Sequence, residues 1–208
     1  MRKPQEPDRR DRDLPALAVL ALLSTGPRHP YDIHRLLIET GKVFVTGLPR
    51  SLYHAVGKLE KSRFIEPVGT EREAGRPERT VYALTSAGRD EVRRRVHVLL
   101  ATPTADSDIT YAALSFIAVL SRQEAMTVLR SRVEALTASA EHLEADLDSA
   151  SDVEPLLLIE SEFEMTRLKA ERAWMSDLMR RLESGRLEWL DVFADQDVTK
   201  PGRTHPRP

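Results

Sequence analysis

GLPRSLYHAVGKLEKSRFIEPVGTEREAGRPERTVYAL, residues Gly47 to Leu84, decides how this chain folds. From Pro49 to Lys61 the apolar residues Leu52, Tyr53, Val56 and Leu59 recur at helical spacing and mark one face of a helix. Pro49 suits a first turn, where its missing N–H leaves nothing unpaired. The spacing puts Tyr53 on the apolar stripe, where core packing is the default role and a phosphate lies within reach of its hydroxyl. The opposite face carries Arg50, Ser51, His54, Lys58 and Lys61. A helix that is apolar on one side and short, polar and basic on the other can enter a DNA major groove. Two β-prone runs follow, Phe64 to Val68 and Thr80 to Leu84, separated by the charged, turn-rich segment Gly69 to Arg79. They predict a two-stranded hairpin with a basic tip at Arg72, Arg76 and Arg79. Helix, hairpin and basic tip in this order predict a winged helix-turn-helix.

Upstream, Leu14 to Ser24 (LPALAVLALLS) is an almost uniformly apolar helix that stops at Thr-Gly-Pro. His29 to Thr40 is a second helix with Ile33, Leu36 and Leu37 inward and Gly41 as its C-cap. Tyr31 is expected in the core, and Lys42 in the following loop is expected at a phosphate or in solvent. His29 and His34 do not share a helix face, so they form no metal pair. Downstream, Thr85-Ser86-Ala87-Gly88 opens a helix running to Leu100, with Val92, Val96 and Leu99 as its stripe. The run Arg93-Arg94-Arg95 reads as solvated faces rather than a DNA contact. Residues 14–100 therefore form one winged-helix domain.

Residues 1–13 are charged and poor in apolar side chains, which predicts a disordered arm. Ala101 to Ser107 is a polar break, and everything after it reads as helix. Asp108 to Leu120 is a first segment, and Ser121-Arg122-Gln123-Glu124 then predicts a capping box. The long helix it starts carries Met126, Leu129, Val133, Leu136, Ala140, Leu143 and Leu147, a heptad seam. Pro155 opens another long helix reaching Ser184, and Leu187 to Phe193 reads as one or two amphipathic turns. Two long amphipathic helices in antiparallel order are not expected to bury their stripes alone, so residues 108–193 are read as a helical dimerisation domain. Residues 194–208 are expected to be disordered. The fold class is mainly α with a small β wing and long antiparallel C-terminal helices.

The charge distribution agrees with a polyanionic partner for the first half only. The net charge is −2, but residues 1–100 hold 19 Lys and Arg against 13 Asp and Glu, a balance of +6, and the remainder carries −8. Cysteine is absent, so disulfides and thiolate metal sites are excluded. The N-terminus is too charged for a signal peptide, and the longest apolar run is too short to span a bilayer, which predicts a cytoplasmic protein with no membrane partner. No nucleophile elbow, P-loop, dinucleotide fingerprint or metal-ligating helix motif occurs, so neither an enzyme nor a cofactor is expected.

RSLYHAVGKLEK and GRPERTVYALTSAGRDEV resemble the recognition helix and the wing of the PadR family of bacterial transcriptional regulators. AERAWMSDLMRRLES is similar to the helical C-terminal domain through which longer PadR-like regulators dimerise, so the resemblance spans residues 14–185. Pro30 stands where the family usually has Gly, and Arg50 where it often has a small residue. The resemblance implies a homodimeric repressor on a pseudo-palindromic operator in double-stranded DNA. It also implies a small aromatic or planar effector bound near the junction of the two domains. Phe116, Phe163, Trp174 and Met175 are the residues it points to, with Trp174 matching the family's tryptophan. Two other readings fit a winged helix: an architectural or protein-docking module without a small ligand, and a metal sensor, which His97 and His142 support poorly because each stands alone.

Overall fold

Asp13 starts the first helix of this computed structural model, which describes residues 7–42, 44–45, 47–71 and 79–193. Its carboxylate accepts the Ala16 N–H at 3.2 Å. Helix α1 (Leu14–Leu23) is buried along nearly its whole length, because α2 (Pro30–Glu39), α3 (Arg50–Lys61) and α4 (Ser86–Ala101) all pack on it. Leu17, Leu20, Leu52, Val92, Val96 and Leu99 are fully enclosed there. Helix α2 ends on Gly41 at φ +62°, with the Gly41 and Lys42 N–H groups bonded back to Ile38 and Leu37. Helix α3 closes by the same reciprocal pattern, but its left-handed residue is Arg63 at φ 58°. The Arg63 N–H reaches Glu60 O at 2.9 Å and the Phe64 N–H reaches Leu59 O at 3.0 Å.

The wing pairs β1 (Ile65–Glu71) antiparallel with β2 (Arg79–Leu84), Ile65 opposite Leu84, with an irregularity between Pro67 and Gly69. Arg28, between α1 and α2, exchanges both backbone hydrogen bonds with Tyr82 at 3.0 Å. This third rung ties the hairpin to the start of α2. At the hairpin's base a Cβ on Gly88 would run into the Phe64 carbonyl, so α4 meets β1 through bare backbone.

Helix α5 (Ser107–Ser115) is shorter than its apolar sequence predicts. Phe116 leaves helical geometry at φ −113°, and a 3-10 turn, Ile117–Val119, replaces the rest. The Phe116 ring is buried edge-on against Phe44, with centroids 5.9 Å apart. Helix α6 (Arg122–Ser149) opens with the predicted capping box, Ser121 and Glu124 each accepting the other's N–H. Helix α7 (Ile159–Glu183) returns antiparallel, so that Arg122 at the start of α6 donates to the Leu182 carbonyl at the end of α7.

That antiparallel return corrects one expectation. Leu129, Leu136 and Ala140 of the heptad seam are buried against Met165, Leu168, Met175, Leu178 and Leu182 of the same chain. The seam does not await a second copy. What α7 leaves uncovered is its other side: Phe163 is 72% exposed and Trp174 49%, and Leu156, Leu157 and Ile159 lie open at its beginning.

The segments flanking the helices also differ from expectation. Residues 7–13, read as part of a disordered arm, form turns held by Asp8, whose carboxylate accepts the Arg10 and Asp11 N–H groups. Asp11 is buried and bridges Arg94 at 2.7 Å. The arginine run on α4 is accordingly not a solvated face. Arg95 is buried beside Glu91 at 2.6 Å, and Arg93 lies over the Phe193 ring at 4.7 Å. Leu187 to Phe193 is a non-helical strap, anchored by buried Phe193 and by Trp189 Nε1 donating to Leu120 O at 3.3 Å. The expected disorder of residues 1–6 and 194–208 falls outside the described residues.

Candidate DNA interface

Helix α3 buries Leu52, Ala55, Val56 and Leu59 against α1 and α2. Ala55, not Tyr53, completes the stripe, so Tyr53 is turned outward and is 49% exposed. Its expected place in the core is overturned, because one residue beyond Leu52 lies a quarter-turn off the buried face. Directly opposite that face, Arg50, His54, Gly57 and Lys61 follow one another up successive turns. Among the described residues the side chains of Arg50, His54 and Lys61 have no hydrogen bond or ion pair. They are exposed and cationic or titratable, an arrangement suited to polyanion contact.

The two flanks of this row differ. On one side sit Ser51 and Lys58, and Lys58 is already engaged: its Nζ lies 2.7 Å from Asp13 Oδ2. On the other side Tyr53 and Glu60 face the hairpin, where the Tyr82 hydroxyl donates to Glu60 at 3.5 Å. Burial and the Glu60 carboxylate together raise the Tyr82 phenol above its ordinary range. Between α3, the start of α2 and the hairpin runs a groove of about 310 Å³, lined by His29, Tyr53, Val56, Gly57, Arg79 and Tyr82 among others. His29 Nδ1 accepts the Tyr31 N–H at 3.0 Å and so caps α2. Tyr31, expected in the core, is exposed with the Arg79 guanidinium 5.3 Å above its ring. Of the three arginines read as the wing tip, Arg79 stands at this groove, while Arg72 and Arg76 lie outside the described residues. Lys42 is withdrawn from any phosphate: it is half-buried over the Phe116 ring at 5.4 Å, and burial lowers its pKa.

Residues 19–94, the recognition helix and hairpin included, match the family described as Transcriptional regulator PadR-like family. Residues 19–94 are a PadR-like domain. The chain is accordingly a DNA-binding transcriptional regulator. Bacillus subtilis PadR in complex with operator DNA is 23% identical, with a TM-score of 0.37 over 79% of this chain and 97% of that one. A PadR-like transcriptional regulator from Bacillus cereus is 18% identical at a TM-score of 0.36, covering 84% and 99% of the two chains. Bacillus subtilis PadR in complex with p-coumaric acid is 21% identical at 0.34, covering 82% and 99%. No curated protein matches.

The four residues read as an effector site are not brought together within one chain. Phe116 belongs to the winged-helix core and Met175 to the α6–α7 core, whereas Phe163 and Trp174 share the open side of α7. Sequence reasoning missed the residue that joins the two cores. Arg132 is completely buried and donates to the carbonyls of Leu99, Leu100 and Thr102 at the end of α4 and to Thr110 of α5, while pairing with Glu171 of α7. Its spacing between Leu129 and Leu136 places it on the apolar face, which is the signal that finds it. Among the described residues no cluster of three His, Asp or Glu could hold a metal, and no helix is long and apolar enough to cross a membrane.

Proposed function

We propose that this chain is a homodimeric repressor that reads a pseudo-palindromic operator with α3 and its wing and is released by a small planar effector. The observation that carries the DNA-reading part is the row Arg50, His54 and Lys61, exposed opposite the buried stripe with half-buried Gly57 among them, and flanked by the Arg79 side of the hairpin. Arg50, Ser51 and His54 lie toward the N-terminal end of α3 and are assigned to base edges, with Tyr53 facing the groove wall. Lys61 is assigned to a phosphate, and so is Lys58 once it is freed from Asp13. Arg79, with Arg72 and Arg76, is assigned to the wing's contact with the adjacent groove.

Dimerisation is assigned to the open side of α7. Leu156, Leu157, Ile159, Phe163 and Trp174 form an apolar band that neither core covers, and a band of this kind marks an interface. Paired across a two-fold axis, the two α3 helices would address half-sites about one helical turn apart. The effector reading rests on Phe163 and Trp174, whose half-open aromatic surfaces would be completed by the partner chain. Titrating purified protein against duplexes from its own upstream region, with and without p-coumaric acid or another planar phenolic acid, tests the whole reading. Saturable, salt-sensitive binding that the acid weakens is expected. Binding with no preference among duplexes would favour an architectural role.

A further inference from the structure

The turns of residues 7–13 border a cleft of about 1590 Å³ that runs between them, the second half of α3 and the middle of α4. Two ion pairs fix this arm in place, Asp11 with Arg94 and Asp13 with Lys58, each at 2.7 Å. Six cationic side chains and three carboxylates line the cleft. Arg9, Arg10 and Arg12 stand exposed on the arm, whereas Arg95 of α4 is only 5% exposed. Arg95 Nε donates to Glu91 at 2.6 Å, but Arg95 Nη1 is buried and has no hydrogen-bond partner. A buried guanidinium N–H left unpaired bears its full desolvation penalty, and in folded proteins such a donor ordinarily meets protein, water or an ion. Among the described residues, it is the one buried unpartnered side-chain atom that belongs to the lining of this cleft.

We propose that this cleft binds the phosphate group of a small phosphate monoester, with Arg95 Nη1 as the inner donor and the arm arginines as the outer ones. The assignment does not depend on the DNA-reading part of the proposed function. Charge points to a dianion. The lining carboxylates are engaged inside the fold: Asp8 accepts N–H groups of the arm, Asp13 pairs with Lys58, and Glu91 pairs with Arg94 and Arg95. With Asp11 counted on Arg94, six cations face four carboxylates, an excess of two. Direction points to a tetrahedral group. The cations come from three elements, the arm, α3 and α4, whereas a flat carboxylate is matched by one guanidinium fork. Depth excludes the DNA backbone, because a side chain as buried as Arg95 lies below the reach of a duplex phosphate. Ala16, Leu59 and Phe64 give the body of the monoester an apolar wall.

The test titrates full-length protein with inorganic phosphate, withdrawing chloride to hold ionic strength constant, and follows the phosphorus NMR shift at a pH above the second pKa of phosphate, about 6. One phosphate per chain should saturate with a dissociation constant of about 1 mM. At about ten times that concentration the melting temperature should rise by about 3 °C. Monobutyl phosphate should bind more tightly than inorganic phosphate because of the apolar wall, and weaker binding would overturn the monoester assignment. Arg95→Met removes the inner donor while Glu91 keeps Arg94 at 2.9 Å, and it should weaken phosphate binding about tenfold. Arg9→Ala combined with Arg12→Ala changes only exposed side chains and should weaken it about fivefold with the melt in chloride unchanged. If Arg95→Met does not fold, this second variant decides alone. A phosphorus shift that moves linearly without saturating, or saturation that survives unchanged in the variants, overturns the proposal and leaves the regulator reading intact.

Discussion

Arg132 and Glu171 form an ion pair at 2.6 Å in which the guanidinium is wholly buried and the carboxylate nearly so. The same guanidinium closes the C-terminal end of α4 by donating to three of its carbonyls. A cation at a helix C-terminus also answers the negative end of the helix dipole. The winged-helix part and the α6–α7 pair are thereby joined through one side chain. Arg132→Ala would leave Glu171 and three carbonyls without this donor in a dry environment. It should cost about 3–5 kcal/mol by chemical denaturation, the range for breaking a buried pair by removing one partner. A loss under about 1 kcal/mol would show that the junction is held by apolar packing alone.

Asp13 and Lys58 are expected to set a limit on DNA affinity. The lysine counted as a phosphate contact spends its charge on Asp13 at 2.7 Å. Asparagine caps a helix as well as aspartate does, so Asp13→Asn should keep α1 while freeing Lys58. Operator affinity should rise, and the slope of log affinity against log salt should steepen by about one unit. An unchanged slope would mean that Lys58 never meets a phosphate.

The base of the wing is intolerant of one methyl group. Gly88→Ala should destabilise by about 2–3 kcal/mol, because the new Cβ falls on the Phe64 carbonyl, which the Thr85 N–H and hydroxyl already hold at 3.1 Å. Arg63→Gly, one residue earlier than Phe64, should have the opposite sign. It relieves a left-handed backbone and should gain about 0.5 kcal/mol after glycine's greater unfolded-state freedom is subtracted. Thermal melts of the two variants give both signs.

Acid should weaken the fold through specific carboxylates. Burial pushes Glu124 up, but the Ser121 N–H and hydroxyl, with Arg93 and His97 nearby, hold it below its ordinary 4.5. Burial likewise pushes Glu91 up, but the hydrogen bonds and charges of Arg94 and Arg95 outweigh it and hold that carboxylate below its ordinary value. A carboxylate whose pKa is depressed on folding contributes stability above its unfolded value and loses it as pH falls through the folded one. The melting temperature should therefore hold down to about pH 4.5 and drop below it. Glu124→Gln keeps the capping geometry and should flatten part of that drop.

Phe163→Asp should yield monomers in sedimentation, since it places a charge on the open side of α7 that also carries Trp174, and monomers should hold a two-half-site duplex poorly. A monomeric wild-type protein at micromolar concentration would remove the dimer from the proposal.

The features legible in the sequence are those with local causes. The α3 stripe, the hairpin and the Ser121–Glu124 capping box depend on residues a few positions apart, and their spacing shows them. Tyr53 was ambiguous for a physical reason: Leu52 and Val56 accept either Ala55 or Tyr53 as the third member of a stripe, and only the packing of α1 decides. The heptad seam of α6 shows that an apolar face exists but not what covers it, and α7 of the same chain does. Asp11–Arg94 joins residues 83 apart in the chain, so no pattern could pair them. The exposed row on α3 was readable as chemistry, whereas Lys58's capture by Asp13 was not.

The segments before α1 and after α7 grip consecutive arginines of one helix, Asp11 on Arg94 and Phe193 on Arg93. Stretch applied between the two ends of the described chain would thus load α4 sideways at a single level. The Asp11–Arg94 ion pair should give way first, whereas Phe193 belongs to the winged-helix core and leaves only as that core opens. A tether at one end should therefore report on the same turn of α4 as a tether at the other.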